Sequence, residues 1–305
     1  MCPSNQTNSP IEIMLVSDQN YAPFLATTMV SILKNAAPED VLSFHIVDAG
    51  LSPRDLEIVE GMKSIRPFEL HYYKPNLSEF LKLFPDDIGD FPLVCNYRLF
   101  LTEFLPQDLD KILYMDVDVV ALGSLRELWE TPFEDRFVAA AKDKLIPDQQ
   151  YHLDALELSS DHLYFNSGIM LVNVKKWRED NLLPKILRTS VKIRDKNVYQ
   201  DQDVINVVAD EIGYKKISST KWNCHPTDYV EGETRVLHFM GIRQEHPHLD
   251  ILTSYAKQTP YGGLPFQKTS YKIKRFFRII SFKIVYFFLF KGKWRRVYRK
   301  RFTKR

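Results

Sequence analysis

Residues 112–120 read Ile-Leu-Tyr-Met-Asp-Val-Asp-Val-Val, an apolar segment that contains two aspartates, Asp116 and Asp118. The apolar residues predict a buried strand, in which residues two apart point to the same side. Both carboxylates are then expected to share one small volume, where like charges oppose folding unless a cation lies between them. The segment therefore predicts a site for Mn²⁺ or Mg²⁺, hard cations that also bind diphosphate oxygens. The alternative is that one aspartate caps the strand and the other joins an ion pair.

The composition is that of a globular protein. The chain has 305 residues, of which 45% are hydrophobic, and this length suits one large α/β domain with an appendage, or two domains. Residues 1–10 are expected to be disordered, and they lack the basic and apolar segments of a secretory signal. The three cysteines lie far apart and indicate reduced thiols rather than a disulfide framework. We therefore expect a cytoplasmic protein.

Residues 268–305, called the basic tail below, differ sharply from the rest of the chain. They hold 15 of the 41 Lys and Arg residues and none of the 39 Asp and Glu residues, so the preceding body is near −13. Helical spacing places apolar side chains on one face of the tail, namely Ile273, Phe276, Phe277, Ile280 and Ile284. Its uninterrupted apolar run, residues 284–290, is far shorter than the ~20 residues that span a bilayer.

This pattern predicts peripheral binding of the basic tail to an anionic membrane surface, at the inner face of the cell membrane. The alternatives are RNA binding and a solvated charged helix. We rank both lower, because the aromatic and aliphatic side chains of the tail would be poorly soluble if they were left free. No nucleic-acid partner is expected.

Strand-like and helix-like segments alternate along the body. Strands are expected at residues 11–17, 43–48, 68–73, 111–118, 137–141 and 169–174, and helices at 24–35 and 53–65, the second after Ser52 as N-cap. This alternation favours an α/β fold with a mostly parallel sheet. Ligands of such sheets bind at the carboxyl ends of the strands. Asp18 and Asn20 follow the first strand, so they are expected at the same edge as Asp116 and Asp118.

Several motifs together resemble those of family 8 glycosyltransferases, in particular the bacterial lipopolysaccharide α-galactosyl- and α-glucosyltransferases. In chain order they are Val16-Ser17-Asp18-Gln19-Asn20-Tyr21, Asn96-Tyr97-Arg98, Asp116-Val117-Asp118, Tyr164-Phe165-Asn166-Ser167-Gly168, Tyr199-Gln200-Asp201-Gln202-Asp203 and His238-Phe239-Met240-Gly241. Each motif alone is weak, but their order and spacing over residues 11–245 are specific. The resemblance implies a GT-A Rossmann-like nucleotide-sugar-binding fold over residues 11–260, a UDP-sugar donor, Mn²⁺ (or Mg²⁺) dependence and retention of anomeric configuration.

The resemblance also implies three groups of site residues. The metal ligands would be Asp116, Asp118 and His238. The nucleotide and diphosphate contacts would be these two aspartates with Val16, Asp18, Asn20, Tyr21, Arg98, Val117, Gly241, Arg243 and Gln244. The residues around the transferred sugar would be Asp143, Asn166, Asp201 and Gln202.

The chemistry of these side chains agrees with the implied roles. Gln202 is an amide and a poor nucleophile, so its carbonyl is expected to stabilise an oxocarbenium-like transition state. Asp143 and Asp201 are candidate nucleophiles or anchors of sugar hydroxyls, and Asp201 is alternatively a helix N-cap. Arg98 is expected to bind the sugar or a metal-binding aspartate. An imidazole beside two carboxylates suits Mn²⁺, although a lone histidine often only hydrogen-bonds.

Two nucleotide-binding regions carry alternatives. Asp18 and Tyr21 are expected to accept a uracil N–H and to stack on the base, whereas an Asx turn would explain Asp18 without a ligand. At the other region, family members usually have a lysine that reaches the diphosphate where this chain has Gln244. Arg243 would replace that lysine if the loop shifts.

The sequence thus predicts a retaining hexosyltransferase that moves galactose or glucose from a UDP-sugar to a glycan or lipid-linked saccharide. Two other classes of protein stay open. One is a haloacid-dehalogenase-like phosphohydrolase, whose nucleophile motif is also a strand-borne Asp-x-Asp. The other is a non-catalytic nucleotide-sugar-binding membrane protein.

Overall fold

The computed structural model describes residues 9–83, 93–146, 149–241 and 246–265. The basic tail, Arg243 and Gln244, and residues 1–8 of the predicted N-terminal segment lie outside these ranges. The strands within them are β1 (Ile11–Ser17), β2 (Leu42–Asp48), β3 (Glu69–Tyr73), β4 (Lys111–Met115), β5 (Val119–Ala121), β6 (Val138–Lys142), β7 (Phe165–Asn173), β8 (Lys215–Ile217) and β9 (Val236–His238).

The α-helices of the same ranges are α1 (Ala22–Asn35), α2 (Pro53–Gly61), α3 (Ser78–Leu81), α4 (Arg126–Trp129), α5 (Gln149–Leu156), α6 (Val174–Glu179), α7 (Leu182–Lys192), α8 (Asp201–Ile212), α9 (Ser219–Trp222) and α10 (Leu249–Ala256). Within these ranges, 3-10 helices also span Met62–Ser64 and Pro226–Asp228, and the 3-10 segment Leu93–Glu103 is interrupted by a kink at Phe100. None of the helices in the described part of the chain combines the length and apolar character that crossing a membrane requires.

A seven-stranded sheet of order β3-β2-β1-β4-β7-β6-β8 forms the centre of the molecule. Strands β1 to β4 pair in parallel, and so do β6 and β8. Strand β7 is antiparallel to both of its neighbours, β4 and β6. The prediction of an α/β fold with a mostly parallel sheet is confirmed, whereas local sequence patterns do not predict the direction of β7.

Both faces of the central strands of the sheet are buried, whereas the edge strand β3 is largely exposed. Ile13 and Leu15 of β1 pack into one apolar core with α1, while Met14 and Val16 point into the other core, on the side of α8. Burial on both sides explains why the central strands are almost continuously apolar rather than alternating with polar residues. The polar residues of the candidate site therefore lie at the strand ends.

The two helices expected near the N-terminus are present. Helix α2 begins after Ser52, whose hydroxyl accepts from the Asp55 N–H, while the Asp55 carboxylate accepts from the Ser52 N–H at 2.8 Å. This capping box, with Pro53 in the first turn, confirms the predicted helix start. The predicted continuation to residue 65 is a 3-10 turn rather than α-helix.

Two predicted strand boundaries are wrong, and both errors fall at the candidate site. Strand β4 ends at Met115, so Asp116 and Asp118 lie in the turn before β5, and strand alternation is not what brings them together. Strand β7 begins at Phe165, not at residue 169. Because β7 is antiparallel, its first residues lie at the edge where β4 and β6 end.

A second, two-stranded sheet brings distant residues to this edge. Strands β5 and β9 are antiparallel, with Val119 opposite His238. His238 therefore lies next to Asp118, 120 positions earlier in the chain.

Candidate functional site

The turn of residues 116–118 is clamped by hydrogen bonds from three elements. The Asp116 N–H donates to the Gly168 carbonyl of β7 at 2.7 Å, and the Asp118 carbonyl accepts from the Phe239 N–H after β9 at 2.9 Å. The hydroxyl of Thr28, on α1, contacts the carbonyl oxygens of both residues that flank Asp118, at 2.7 and 2.9 Å. Convergence of the two carboxylates thus arises from this anchored turn.

Asp116, Asp118 and His238 form a candidate metal-binding group, called the metal group below, whose potential ligand atoms lie within 4.8 Å of one another. The His238 Nε2 is 3.1 Å from Asp118 Oδ1 and 3.7 Å from Asp116 Oδ2. Gly168 leaves the space beside them open, since a Cβ there would be 2.3 Å from His238 Cε1 and 2.6 Å from Asp116 Oδ2. Two carboxylates and an imidazole around a cleared volume fit Mn²⁺ or Mg²⁺.

The protonation of His238 responds to the same carboxylates. Burial disfavours the charged ring, but the charge and hydrogen bond of Asp118 outweigh burial, so the pKa of His238 is raised. A divalent cation held between the three side chains would take the place of that proton.

Arg98 lies behind this group and is buried. Its Nη2 is 2.8 Å from Asp116 Oδ1, its Nε is 3.2 Å from Asp201 Oδ2, and its Nη1 donates to the Ser167 carbonyl at 2.7 Å. The guanidinium also stacks over the Tyr114 ring, with 4.3 Å between Cζ and the ring centroid. Of the two partners expected for Arg98, the structure shows the aspartate, Asp116, of the candidate metal site. Burial raises the pKa of Asp201 to about 6, against the opposing charge of Arg98.

Asp143, Asn166 and Gln202 form a buried hydrogen-bonded network beside the metal group. The Gln202 Nε2 donates to Asp143 Oδ2 at 2.9 Å, and the Gln202 Oε1 accepts from Asn166 Nδ2 at 3.0 Å and from the Ser167 N–H at 3.1 Å. Asn166 Nδ2 also approaches Asp143 Oδ2, at 3.2 Å. The Asp143 Oδ1 accepts from the Leu145 N–H, which fixes the carboxylate. Such a cluster offers several donors and acceptors to a polyhydroxylated ligand.

The alternative of Asp201 as a helix N-cap is wrong. Helix α8 begins at Asp201, and the N-cap is Gln200, which is buried and has φ +53°. The preceding loop is held by Asp203, whose Oδ2 accepts from the N–H groups of Val198 and Tyr199. The first turn of α8 is therefore fixed in place with Asp201 and Gln202 facing the site network.

Asp18, Asn20 and Tyr21 follow β1 at the same sheet edge, because Leu15 of β1 lies opposite Met115 of β4. Asp18 Oδ1 accepts from the Tyr21 N–H at 3.0 Å, and Asn20 Nδ2 approaches Asp18 Oδ2 at 3.3 Å. An Asx turn would use the N–H two residues on, whereas this bond reaches Tyr21, three residues on, so Asp18 closes a turn of a different kind. Tyr21 is 38% exposed, so its ring surface is accessible to a base.

The remaining predicted contacts divide into two groups. Val16 and Val117 are buried near the ends of β1 and β4, and Gly241 has φ +62° just after β9. Arg243 and Gln244 lie outside the described residues. Hydrogen bonds and ion pairs bring together Arg98, Asp201, Asp143, Asn166, Gln202 and the group of Asp116, Asp118 and His238.

Sequence reasoning missed several residues that build the site. Thr28 anchors the turn of residues 116–118, Gly168, quoted above within a motif but given no role, leaves it space, and Asn223 contacts both His238 and Asn166 at 2.8 and 3.0 Å. Two sequence signals could have indicated these residues. Thr28 is a polar residue within an apolar helix, and Asn223 lies between Trp222 and a cysteine.

Comparisons with known proteins agree with this geometry. The Glycosyl transferase family 8 model matches residues 12–245. A Haemophilus influenzae protein described as a glycosyltransferase is 30% identical over 218 residues, which cover 72% of this chain and 64%, less than two thirds, of that protein. A lipopolysaccharide 1,2-glucosyltransferase of Escherichia coli is 27% identical over 276 residues, covering 82% of this chain and 79% of its own length.

A solved structure of the galactosyltransferase LgtC, in complex with donor and acceptor sugar analogs, is similar in fold. It superposes with a TM-score of 0.70 at 25% identity, covering 82% of this chain and 96% of the LgtC chain. The central sheet of the described residues is thus that of a GT-A fold. The match over residues 12–245 shows that this chain belongs to glycosyltransferase family 8.

Proposed function

We propose that this chain is a retaining, metal-dependent hexosyltransferase that moves galactose or glucose from a UDP-sugar to a glycan or lipid-linked glycan acceptor. The observation that carries the proposal is the position of the Asp116, Asp118 and His238 group beside the buried Asp143, Asn166 and Gln202 network. The first group suits a diphosphate-bound cation, and the network suits a sugar. The names of the Escherichia coli relative and of LgtC support a hexose donor.

The donor diphosphate is proposed to bind at the metal group. A bound Mn²⁺ or Mg²⁺ would stabilise the negative charge that develops on the departing UDP. Arg98 holds the Asp116 carboxylate from behind, and the Thr28 hydroxyl holds the turn, so the ligands are organised before the donor binds. Gly241 and Arg243, with Gln244, are proposed to lie along the diphosphate.

The uridine is proposed to bind beside the carboxyl end of β1. The exposed Tyr21 ring offers a stacking surface, and Asp18 and Asn20 offer acceptors and a donor for the base and ribose. Val16 and Val117 supply apolar contacts next to them.

The transferred hexose is proposed to contact Asp143, Asn166 and Gln202. Retention requires attack on the face from which UDP departs, through either a covalent intermediate or a front-face route. Asp143 is the carboxylate that Gln202 and Asn166 both approach, so it is the stronger candidate for the reacting sugar. Asp201 contacts Arg98 and Ser167, and its proposed role is to position the guanidinium.

The acceptor is proposed to be the lipid-linked core of a lipopolysaccharide, as the name of the Escherichia coli relative suggests. Residues 11–260 would form the catalytic domain. The basic tail, with 15 Lys and Arg residues and no acidic residue, would bind the anionic inner face of the cell membrane and concentrate the enzyme near its acceptor.

The two alternative functions, a phosphohydrolase and a non-catalytic nucleotide-sugar-binding protein, differ in how well the observations support them. Membership of family 8 gives no support to a phosphohydrolase. A chain that binds nucleotide-sugars without turning them over would release no nucleotide. We therefore propose to measure nucleotide release from UDP-, GDP- and CMP-sugars with Mn²⁺ and without acceptor, using Asp118→Asn as the matched control.

The proposal expects slow UDP release from UDP-galactose or UDP-glucose that the Asp118→Asn variant lacks. Binding of UDP-sugars without release, also after addition of saccharide acceptors, would identify the non-catalytic protein. Release of phosphate from simple phosphate monoesters would support the phosphohydrolase instead.

A further inference from the structure

The imidazole of His238 has a partner on each ring nitrogen. Its Nε2 faces Asp118 Oδ1 at 3.1 Å, and its Nδ1 lies 2.8 Å from Asn223 Oδ1. Both His238 and Asn223 are buried, at 2% and 5% exposure, so water does not compete freely for these contacts. A neutral ring carries one proton, and the partner of one nitrogen decides whether the other is left as a metal ligand.

A backbone group fixes the direction of the hydrogen bonds that reach Asn223. The Gly168 N–H can only donate, and it lies 3.0 Å from the Asn166 side-chain oxygen. The other atom of the same amide is 3.2 Å from the Asp143 carboxylate and 3.0 Å from the Gln202 carbonyl oxygen, so it must be the NH₂ group. The orientation of the Asn166 amide is therefore determined.

The orientation of Asn223 follows from that of Asn166. Its side-chain nitrogen lies 3.0 Å from the Asn166 oxygen, which accepts and cannot donate. A flipped Asn223 would place two acceptor oxygens against each other. The Asn223 oxygen must therefore face His238, and only a protonated Nδ1 can donate to it.

We propose that Asn223 is a positioning residue that holds the neutral His238 ring as its Nδ1–H form and so leaves Nε2 free to bind the divalent cation. This inference rests on the metal-dependent function proposed above. Through Asn166, the same amide joins the metal group to the network around Asp143 and Gln202.

The backbone places Asn223 next to His238 independently of any ligand. The Cys224 N–H donates to the Val236 carbonyl at 3.0 Å, and the His238 N–H donates to the Cys224 carbonyl at 2.8 Å. These two bonds register the segment after α9 against β9, which is already paired with β5 beside Asp118. The acceptor for Nδ1 is thus built into the fold.

Two substitutions separate this role from simple packing, and the full-length chain is used for each. Asn223→Leu keeps a side chain of similar size but removes the acceptor, and we expect Mn²⁺ affinity to fall about 10–100-fold. Asn223→Asp keeps an acceptor for Nδ1–H, so affinity should stay within about threefold of the wild type. Free Mn²⁺ is measured by electron paramagnetic resonance, which needs no catalysis.

A purely structural role for Asn223 expects the opposite order. A buried leucine is tolerated better than a buried carboxylate that lies against the Asn166 oxygen. Equal Mn²⁺ affinity of Asn223→Leu and wild type, or weaker binding by Asn223→Asp than by Asn223→Leu, would overturn the inference. As a matched control, Asn35→Leu removes an amide bonded to Ser31, Ala121 and Tyr255, and should lower thermal stability without changing Mn²⁺ affinity.

A second measurement uses the wild-type chain and so does not depend on the folding of a variant. In protein loaded with diamagnetic Mg²⁺ and ¹⁵N-labelled histidine, long-range proton–nitrogen spectra report which nitrogen of the His238 ring carries the proton, with His238→Ala used for assignment. We expect the Nδ1–H form, and the Nε2–H form would refute the inference.

The outcomes also distinguish this inference from the proposed function. A wild-type chain that binds no Mn²⁺ overturns both. A wild-type chain that binds Mn²⁺ and turns over UDP-sugar, while Asn223→Leu binds equally well, overturns only the role of Asn223.

Discussion

Arg98 and Asp116 form a buried ion pair, with 2.8 Å between the Arg98 Nη2 and the Asp116 Oδ1. The arginine side chain is only 4% exposed, so its positive charge is compensated by Asp116 and by Asp201, 3.2 Å away, rather than by water. Asp118 instead contacts His238. The two aspartates of the metal group are therefore not equivalent, although both are proposed ligands.

Asparagine substitutions should separate these roles. Both Asp116→Asn and Asp118→Asn should lower sugar transfer by orders of magnitude, because each removes a proposed metal ligand. Only Asp116→Asn should destabilise the metal-free protein substantially, by about 1–3 kcal/mol, since it leaves the buried Arg98 charge less compensated. Asp118→Asn should stay within about 1 kcal/mol of wild type, because it also relieves repulsion from Asp116. Urea unfolding in chelator measures the free energy of unfolding of both variants. Equal stabilities of Asp116→Asn and Asp118→Asn would contradict the proposed difference between the two aspartates.

Gly168 is expected to be essential for the size of the metal site. In Gly168→Ala the new Cβ would lie 2.3 Å from His238 Cε1, so the ring or β7 must shift. We expect Mn²⁺ affinity and transfer to fall strongly and stability to fall by about 1–3 kcal/mol. Gly61→Ala is the control, because nothing lies within 4 Å of a Cβ there, and it should keep full activity. A Gly168→Ala chain that binds Mn²⁺ normally would refute the steric argument.

The capping box of α2 makes a testable contribution to the pH dependence of stability. Burial tends to raise the pKa of Asp55, but hydrogen bonds from Ser52 and Tyr261 outweigh burial and hold the pKa below its usual value. A carboxyl with a lowered pKa stabilises the fold above its unfolded pKa of about 3.9 and loses that contribution as pH falls through the folded value.

Asp55→Asn should therefore lower the free energy of unfolding by about 0.5–2 kcal/mol at pH 7. The difference from wild type should stay constant down to about pH 5 and shrink below about pH 4. Denaturant unfolding at a series of pH values checks this. A difference that grows towards low pH would have the wrong sign.

The sequence predicts those parts of the site that depend on local residue patterns. Apolar runs predict β1 and β2 almost to the residue, and the Asp116 and Asp118 pair indicates a cation because like charges in an apolar segment need compensation. Which strands pair, and in which direction, depends on contacts between distant segments. His238 reaches Asp118 through β9, and no local pattern reports that pairing.

The same limit explains the missed residues. Gly168 matters for the atom it lacks, and Asn223 matters for the direction of a hydrogen bond that a Gly168 N–H sets through Asn166. The strand expected to include Asp118 ends at Met115, because the chain must turn there to enter β5. A three-residue strand such as β5 has too short a pattern to be recognised.

The basic tail is expected to bind the membrane and to take no part in the reaction, because every described site residue precedes it. Truncation after Gln267 should leave UDP release and transfer to a soluble acceptor nearly unchanged. It should abolish sedimentation with anionic vesicles and reduce transfer to a lipid-embedded acceptor, because the enzyme is no longer concentrated at the surface.

High salt should only partly release the full-length chain from vesicles. Salt screens the Lys and Arg charges, but it does not reverse burial of aromatic side chains such as Phe276 and Phe277. A truncated chain that still sediments with vesicles, or that unfolds, would contradict the proposed division between residues 11–260 and the basic tail.

The central claim is that the group of Asp116, Asp118 and His238 supports turnover through a divalent cation. The most direct test is UDP release from UDP-galactose and UDP-glucose before chelation, after chelation, and after Mn²⁺ is restored. We expect release to stop in chelator and to return with added Mn²⁺ in the wild type but not in Asp118→Asn. UDP release that continues unchanged in chelator, or full recovery of Asp118→Asn, would contradict the account.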